Sequence, residues 1–129
     1  MTRKEEVAAL RADTGVHYNC CQSTLIPFRD LCGIDREKAY ALGHHFGGGM
    51  GCGATCGAVT GALMVLGMAG ASPEQARHFR DTFRARNGSL TCVELLKIAK
   101  EQGVERKCHC DGMIDHAVTL LEEILGETP

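Results

Sequence analysis

Eight cysteines in a chain of 129 residues are the side chains here most able to do chemistry. Four of them lie beside residues that start helices: Cys20 follows Asn19, Cys56 follows Thr55, Cys92 follows Thr91, and Cys110 precedes Asp111. At a helix N-terminus, unpaired backbone N–H groups and the positive end of the helix dipole stabilise an anion, which favours thiolate over thiol. Thiolate is the species that ligates a metal or attacks a disulfide. The competing reading is that free cysteine fills helix interfaces as a small hydrophobe. That reading suits Cys32, at the end of an apolar stripe beside Gly33, better than it suits four cysteines at four helix starts.

Cys21, Cys52 and Cys108 each lie within four residues of one of these four and are candidates to enlarge the site. Cys108 and Cys110 form a Cys-x-Cys pair, which chelates when the chain is extended. Adjacent Cys20 and Cys21 cannot both face one point from a helix, which leaves one of them to packing. No Cys-x2-Cys pair of a zinc finger and no closely spaced ferredoxin run is present. His17, His44, His45 and His109 are further potential ligands, with His44 and His45 also explained by a helix C-terminus that favours cations. No Ser-His-Asp order, carboxylate pair or Gly-Lys phosphate loop points to another enzyme class, and FGGGMGCG lacks the Lys-Ser/Thr ending of a P-loop.

The elements that must carry these cysteines are helices, because apolar residues recur at helical spacing and no alternating run suggests a strand. A charged amphipathic helix is expected over residues 3 to 13. Asn19 starts a second, with Cys21, Leu25, Phe28 and Cys32 on one stripe, Pro27 kinking it and Gly33 closing it. Asp35 caps a third that turns Ala39, Leu42 and Phe46 inward and stops at Gly47, Gly48 and Gly49. Thr55 caps an apolar helix to about Gly70, which contains Gly57 and Gly61 and follows the break at Gly53. Ser72, Pro73 and Gln75 open a helix with Ala76, Phe79 and Phe83 inward, ended by Asn87 and Gly88. Thr91 and Glu94 make a second capping box, for a helix that Gly103 ends. Asp111 caps the last, whose inward face is Ile114, Ala117, Val118, Leu121, Ile124 and Leu125. The expected fold is all-α: one domain over 1–129, a compact bundle around the Gly-rich apolar helix at about 55–70.

Composition narrows the function. A net charge of -2, from 14 basic and 16 acidic residues, gives no field for nucleic acid. Arg77, Arg80, Arg84 and Arg86 read as a solvated helix face. The opening MTRKEEVAAL is too charged for a secretory signal, so the cytoplasm is expected, where thiols stay reduced. Residues 46 to 73 carry no charge. Their strongly apolar part, Ala58 to Ala71, is nevertheless well short of the ~20 residues that span a bilayer, and a membrane helix is disfavoured. Small residues on this helix, if exposed, would permit a homodimer.

The chain resembles a family of redox-active proteins with a C...CGAxxG...C...C pattern, from about Tyr18 to Leu125. YNCCQSTL is similar to the family's opening block, FGGGMGCGATCGAVTGALMVLGM to its glycine-rich signature, and SLTCVELL to its third cysteine block. Cys56, Gly57, Ala58 and Gly61 fit CGAxxG. Cys110 is chosen over Cys108 for the last block because Ile114 and Ala117 then take the apolar positions after it. The resemblance implies a redox role, and a similar domain of split-Soret cytochromes is thought to hold an iron-sulfur cluster. The expectation is therefore an iron-sulfur protein in electron transfer or redox sensing with an unknown redox partner. Its ligands would be Cys20, Cys56, Cys92 and Cys110, with Cys21, Cys52 and Cys108 as further candidates and Gly47, Gly48, Gly49, Gly53, Gly57 and Gly61 as support. The alternatives are a metal-free thiol-disulfide protein and a zinc or copper(I) carrier.

Overall fold

The computed structural model describes residues 1–127; the last two positions of the domain expected over 1–129 lie outside the described residues. It is all-α: α1 (Arg3–Ala12), α2 (Cys20–Leu25), α3 (Arg29–Cys32), α4 (Arg36–Gly43), α5 (Gly57–Met68), α6 (Pro73–Asn87), α7 (Cys92–Glu101) and α8 (Arg106–Ile124). No strand occurs among the described residues, and the one β-type pairing is an isolated antiparallel bridge between Thr55 and Thr91.

Capping chemistry sets most of the boundaries. Thr2 with Glu5, Asn19 with Gln22 and Ser72 with Gln75 each form a reciprocal capping box, and the Asp35 carboxylate accepts from the Lys38 N–H. Pro27 converts the end of α2 into the tighter turn Ile26–Phe28 before α3, as a proline inside a helix must. Gly33 and Gly88 end α3 and α6 in the left-handed conformation.

α5 is the centre of the bundle and packs against α2, α3, α6 and α8. Ala58, Val59, Ala62 and Val65 are fully buried on it, and Leu66 is buried beside them. It is shorter than the expected 55–70 span, and its last residue, Met68, is exposed. Gly57 and Gly61, one turn apart, face α2. A Cβ on Gly61 would stand 2.8 Å from the Cys21 carbonyl oxygen, so α2 crosses at a distance that only glycine permits. The small-residue stripe is therefore filled from within the chain. Around α5 the core is completed by Leu25, Ile26 and Phe28, by Phe79 and Phe83 of α6, and by Ile114, Val118 and Leu121 of α8. Truncating either buried α6 phenylalanine to alanine costs about 3–5 kcal/mol in cores of this kind.

Three expectations are corrected. Leu42 does not point inward: α4 is so short that only Ala39 and Gly43 are buried on it, and Leu42 is 41% exposed. Thr91 is the N-cap residue of α7 as expected, but its side chain makes no capping bond, and Thr55 stands one residue before the cap of its helix; the two pair across the bridge. Cys56 itself is the N-cap of α5, and Glu94 accepts from the Ser89 hydroxyl at 2.7 Å instead of closing a box. Asp111 does not start the last helix, since α8 begins five residues earlier, at Arg106.

α8 also buries a histidine against α6. The His116 ring stacks on Phe83, 5.4 Å between centroids, and its Nδ1 lies 2.8 Å from Asn87 Nδ2. Asn87 Nδ2 also donates to the Phe83 carbonyl, which fixes the amide as donor and Nδ1 as acceptor. The proton of neutral His116 then sits on Nε2, which is buried without a partner. Burial first, and then Arg86, hold its pKa below the ordinary value, with Asp115 and Glu123 opposing and Lys4 assisting. The unfolded chain thus takes up this proton more readily than the folded one, so stability is complete above about pH 6.5 and falls as the pH drops through the folded value. Urea midpoints measured from pH 7.5 to 5 should decline less steeply for His116→Phe than for the parent; parallel acid limbs would contradict this.

Candidate redox site

Cys20, Cys56, Cys92 and Cys110 line one cavity of about 510 Å3. The first of the two backbone devices that position them is the bridge between Thr55 and Thr91. Across it, Cys56 N–H donates to the Leu90 carbonyl at 2.8 Å and Cys92 N–H to the Ala54 carbonyl at 2.6 Å, which sets the starts of α5 and α7 side by side. The second is the glycine contact between α2 and α5: a Cβ on Gly57 would lie 3.0 Å from Cys20 Cβ.

The segment before the bridge is wound tightly against the same site. Gly48, Gly49, Met50, Gly51 and Gly53 all have positive φ. Gly49 is wedged so closely that a Cβ there would meet Ala54 N at 2.6 Å and Cys92 Cβ at 2.7 Å. Among the described residues Met50 is the only non-glycine in that region of φ, at a cost of roughly 1–2 kcal/mol.

Cys110 comes from the side of α8 rather than from its start, as the fifth residue of that helix. Arg11 brings it in: its Nε donates to Asp111 at 2.7 Å and its Nη1 to the Tyr18 carbonyl at 2.8 Å, so one guanidinium fastens the residue after Cys110 to the approach to Cys20. Lys107 holds the other Asp111 oxygen at 3.0 Å. Sequence reasoning missed Arg11, whose only local signal is its place next to Leu10 on the inward face of α1.

The electrostatics differ among the four thiols. The Cys110 thiol is lowered to about 6, first by the hydrogen bond from Cys20 and then by Arg11 and Arg106, against its partial burial. The same hydrogen bond, with burial, pushes Cys20 up. Burial pushes Cys56 up to about 11, opposed by the N–H groups of Ala58 and Val59 in the first turn of α5. Burial also raises Cys92. Helix-start amides thus serve the Cys56 sulfur as expected, but for Cys110 a neighbouring thiol and two guanidinium groups take their place.

The other cysteines are not in the cavity wall. Cys21 is fully buried at the α2–α5 contact, with its sulfur 3.9 Å from Met64 Sδ. Cys52 is exposed on the glycine turn, 3.5 Å from the Gly49 carbonyl. Cys108 is exposed and lines a different groove, because the segment expected to be extended is helical and Cys108 and Cys110 point to different sides of α8. Cys32 packs at the edge of the core, beyond the cavity. His17 and His109 border the cavity, whereas His44 stacks between Tyr40 and His45 elsewhere.

Four sulfur donors with two guanidinium groups nearby to offset thiolate charge suit a thiolate-bound metal centre. Among the described residues no three His, Cys, Asp or Glu side chains are spaced to hold a metal ion as they stand.

No helix of the described residues is long and apolar enough to cross a membrane. No curated protein and no solved structure matches the chain. A family model does match, over residues 18–124, and its description reads "Putative redox-active protein (C_GCAxxG_C_C)". The motif in that description begins Gly-Cys-Ala, whereas this chain reads Cys56-Gly57-Ala58-Val59-Thr60-Gly61, with the first two residues in the other order. With the match covering most of its length, the chain belongs to this family of redox-active, cysteine-patterned proteins.

Proposed function

We propose that Cys20, Cys56, Cys92 and Cys110 hold an iron-sulfur cluster used in electron transfer or redox sensing. The observation that carries this reading is that four thiols from four separate segments of the chain line one cavity. Bound there, a cluster supplies one-electron chemistry. The chain's own groups do the rest. The N–H groups of Ala58 and Val59 stabilise charge on the Cys56 sulfur, and Arg11 and Arg106 offset the negative charge of the thiolates. Leu10, Leu95, Leu96 and Met113 form an apolar wall that limits water. Eight unpaired cysteines suit a reducing compartment such as the cytoplasm.

Protein purified without oxygen, or reconstituted with iron and sulfide, should carry both in stoichiometric amount and absorb visible light that bleaches on reduction. Colourless, iron-free protein after reconstitution would overturn the reading. The place of Cys20 and Cys110 in the same cavity, each shifting the other's ionisation, favours a second one, a reversible dithiol. In that case mild oxidant would remove two thiols per chain as a single Cys20–Cys110 disulfide, recoverable with a dithiol reductant.

A further inference from the structure

A second depression lies behind the redox cavity. It is a groove of about 290 Å3 between the end of α6, one side of α7 and the first turns of α8. Its floor is apolar, built from Leu95, Ile98, Ala99 and Met113, and Val104 at its edge is 41% exposed. No carboxylate lines it, and its one permanently charged side chain is the exposed Arg86. Arg106, exposed at the start of α8, lines the neighbouring cavity together with Glu105. Among the described residues neither arginine is in an ion pair. The groove and the cysteine cavity share the side chains of Leu95, His109 and Met113.

We propose that this groove docks an acidic protein partner of the redox site, one that inserts an apolar side chain flanked by carboxylates. The inference rests on the redox reading above and adds to it where the partner sits and what chemistry it presents. An apolar floor rewards burial of a hydrophobic side chain, and arginine, with tryptophan and tyrosine, is enriched among the residues that anchor interfaces. Arg86, the one permanently charged side chain lining the groove, favours an anionic partner over a cationic one, mainly through the rate of encounter. The position matters as much as the charge. A residue seated in the groove is separated from the four-thiol cavity by one layer of side chains.

The test is a nitrogen-15 NMR titration of the full chain as purified, with a ten-residue peptide of Glu and Asp around a central Phe. Saturable shifts are expected at Ile98, Ala99, Val104 and Met113, with affinity falling as salt is raised. Arg86→Glu and Val104→Glu should each weaken binding at least about tenfold while leaving the rest of the amide spectrum in place. The peptide with Lys replacing its acids should not bind. Absence of saturable shifts, shifts elsewhere on the surface, equal binding by the lysine peptide, or variants that bind like the parent would each overturn the proposal. So would a short DNA duplex that displaced the acidic peptide. Iron, sulfide and free thiols assayed on the same sample report on the redox site separately, so a failed docking test and a failed cluster reading are distinguishable.

Discussion

Replacing Cys56 with serine is expected to abolish the site, whereas the same change at Cys32 leaves it intact. Cys56 is 6% exposed, stands at the N-cap of α5, where the N–H groups of Ala58 and Val59 favour its thiolate, and interacts with Cys92 and Cys110. A serine hydroxyl does not ionise near neutral pH and is a poor ligand for soft metals, so both the donor and its charge are lost. Cys32 lies at the end of α3, where its charged neighbours are Arg3 and Asp30, and takes no part in the cavity. Iron and sulfide per chain, or in the dithiol case the number of oxidant-sensitive thiols, should fall more than about tenfold for Cys56→Ser, because even supporting residues of metal sites commonly control affinity to that extent. Cys32→Ser should remain close to the parent. If the two variants behave alike, the four-thiol site is not the functional one.

Two alanine substitutions on the same helix should move stability in opposite directions. Alanine is a better helix former than glycine by up to about 1 kcal/mol, and at Gly67, where nothing lies within 4 Å, that gain stands alone. At Gly61 the added methyl lands 2.8 Å from the Cys21 backbone oxygen and 3.2 Å from Thr24 Cβ. The helices must separate, at an overpacking cost of about 1–3 kcal/mol that exceeds the propensity gain. The melting temperature of Gly61→Ala should accordingly fall by several degrees while that of Gly67→Ala holds or rises. The displaced backbone adjoins Cys20, so Gly61→Ala should also lose thiol or metal chemistry that Gly67→Ala keeps. Two variants with equal melting temperatures would show that the α2–α5 contact is looser than described.

What could be read from the chain was local. Asn19, Ser72 with Gln75, Asp35, Gly33 and Gly88 announce helix ends through side-chain or backbone chemistry within a few residues, and the structure uses each of them so. Phe79, Phe83, Ile114 and Val118 are buried as their periodicity requires. The failures share one cause, which is that a distant partner took over a local signal. Thr55 and Thr91 resemble caps, but each found the other across a gap that no short window spans. Glu94 was drawn to Ser89. Asp111 has the form of an N-cap but is held by Arg11, 100 positions away, while the true start of α8, at Glu105, makes no side-chain cap bond that would mark it. The four cavity cysteines could be nominated as a set from their neighbours, but the groups that tune them, Arg11 and Arg106, could not, since nothing next to either arginine distinguishes it from an ordinary surface charge.

The bridge between Thr55 and Thr91 has a consequence for how the site breathes. The first amides of a helix normally lack intrahelical partners, and helix ends fray at little free-energy cost. Here the amides of Cys56 and Cys92 are each bonded across the bridge, at the very point where α5 and α7 would begin to unwind. Neither start can loosen without releasing the other. The backbone that carries these two sulfurs therefore loosens in one cooperative opening, in which half of the thiol set is released together or held in place together.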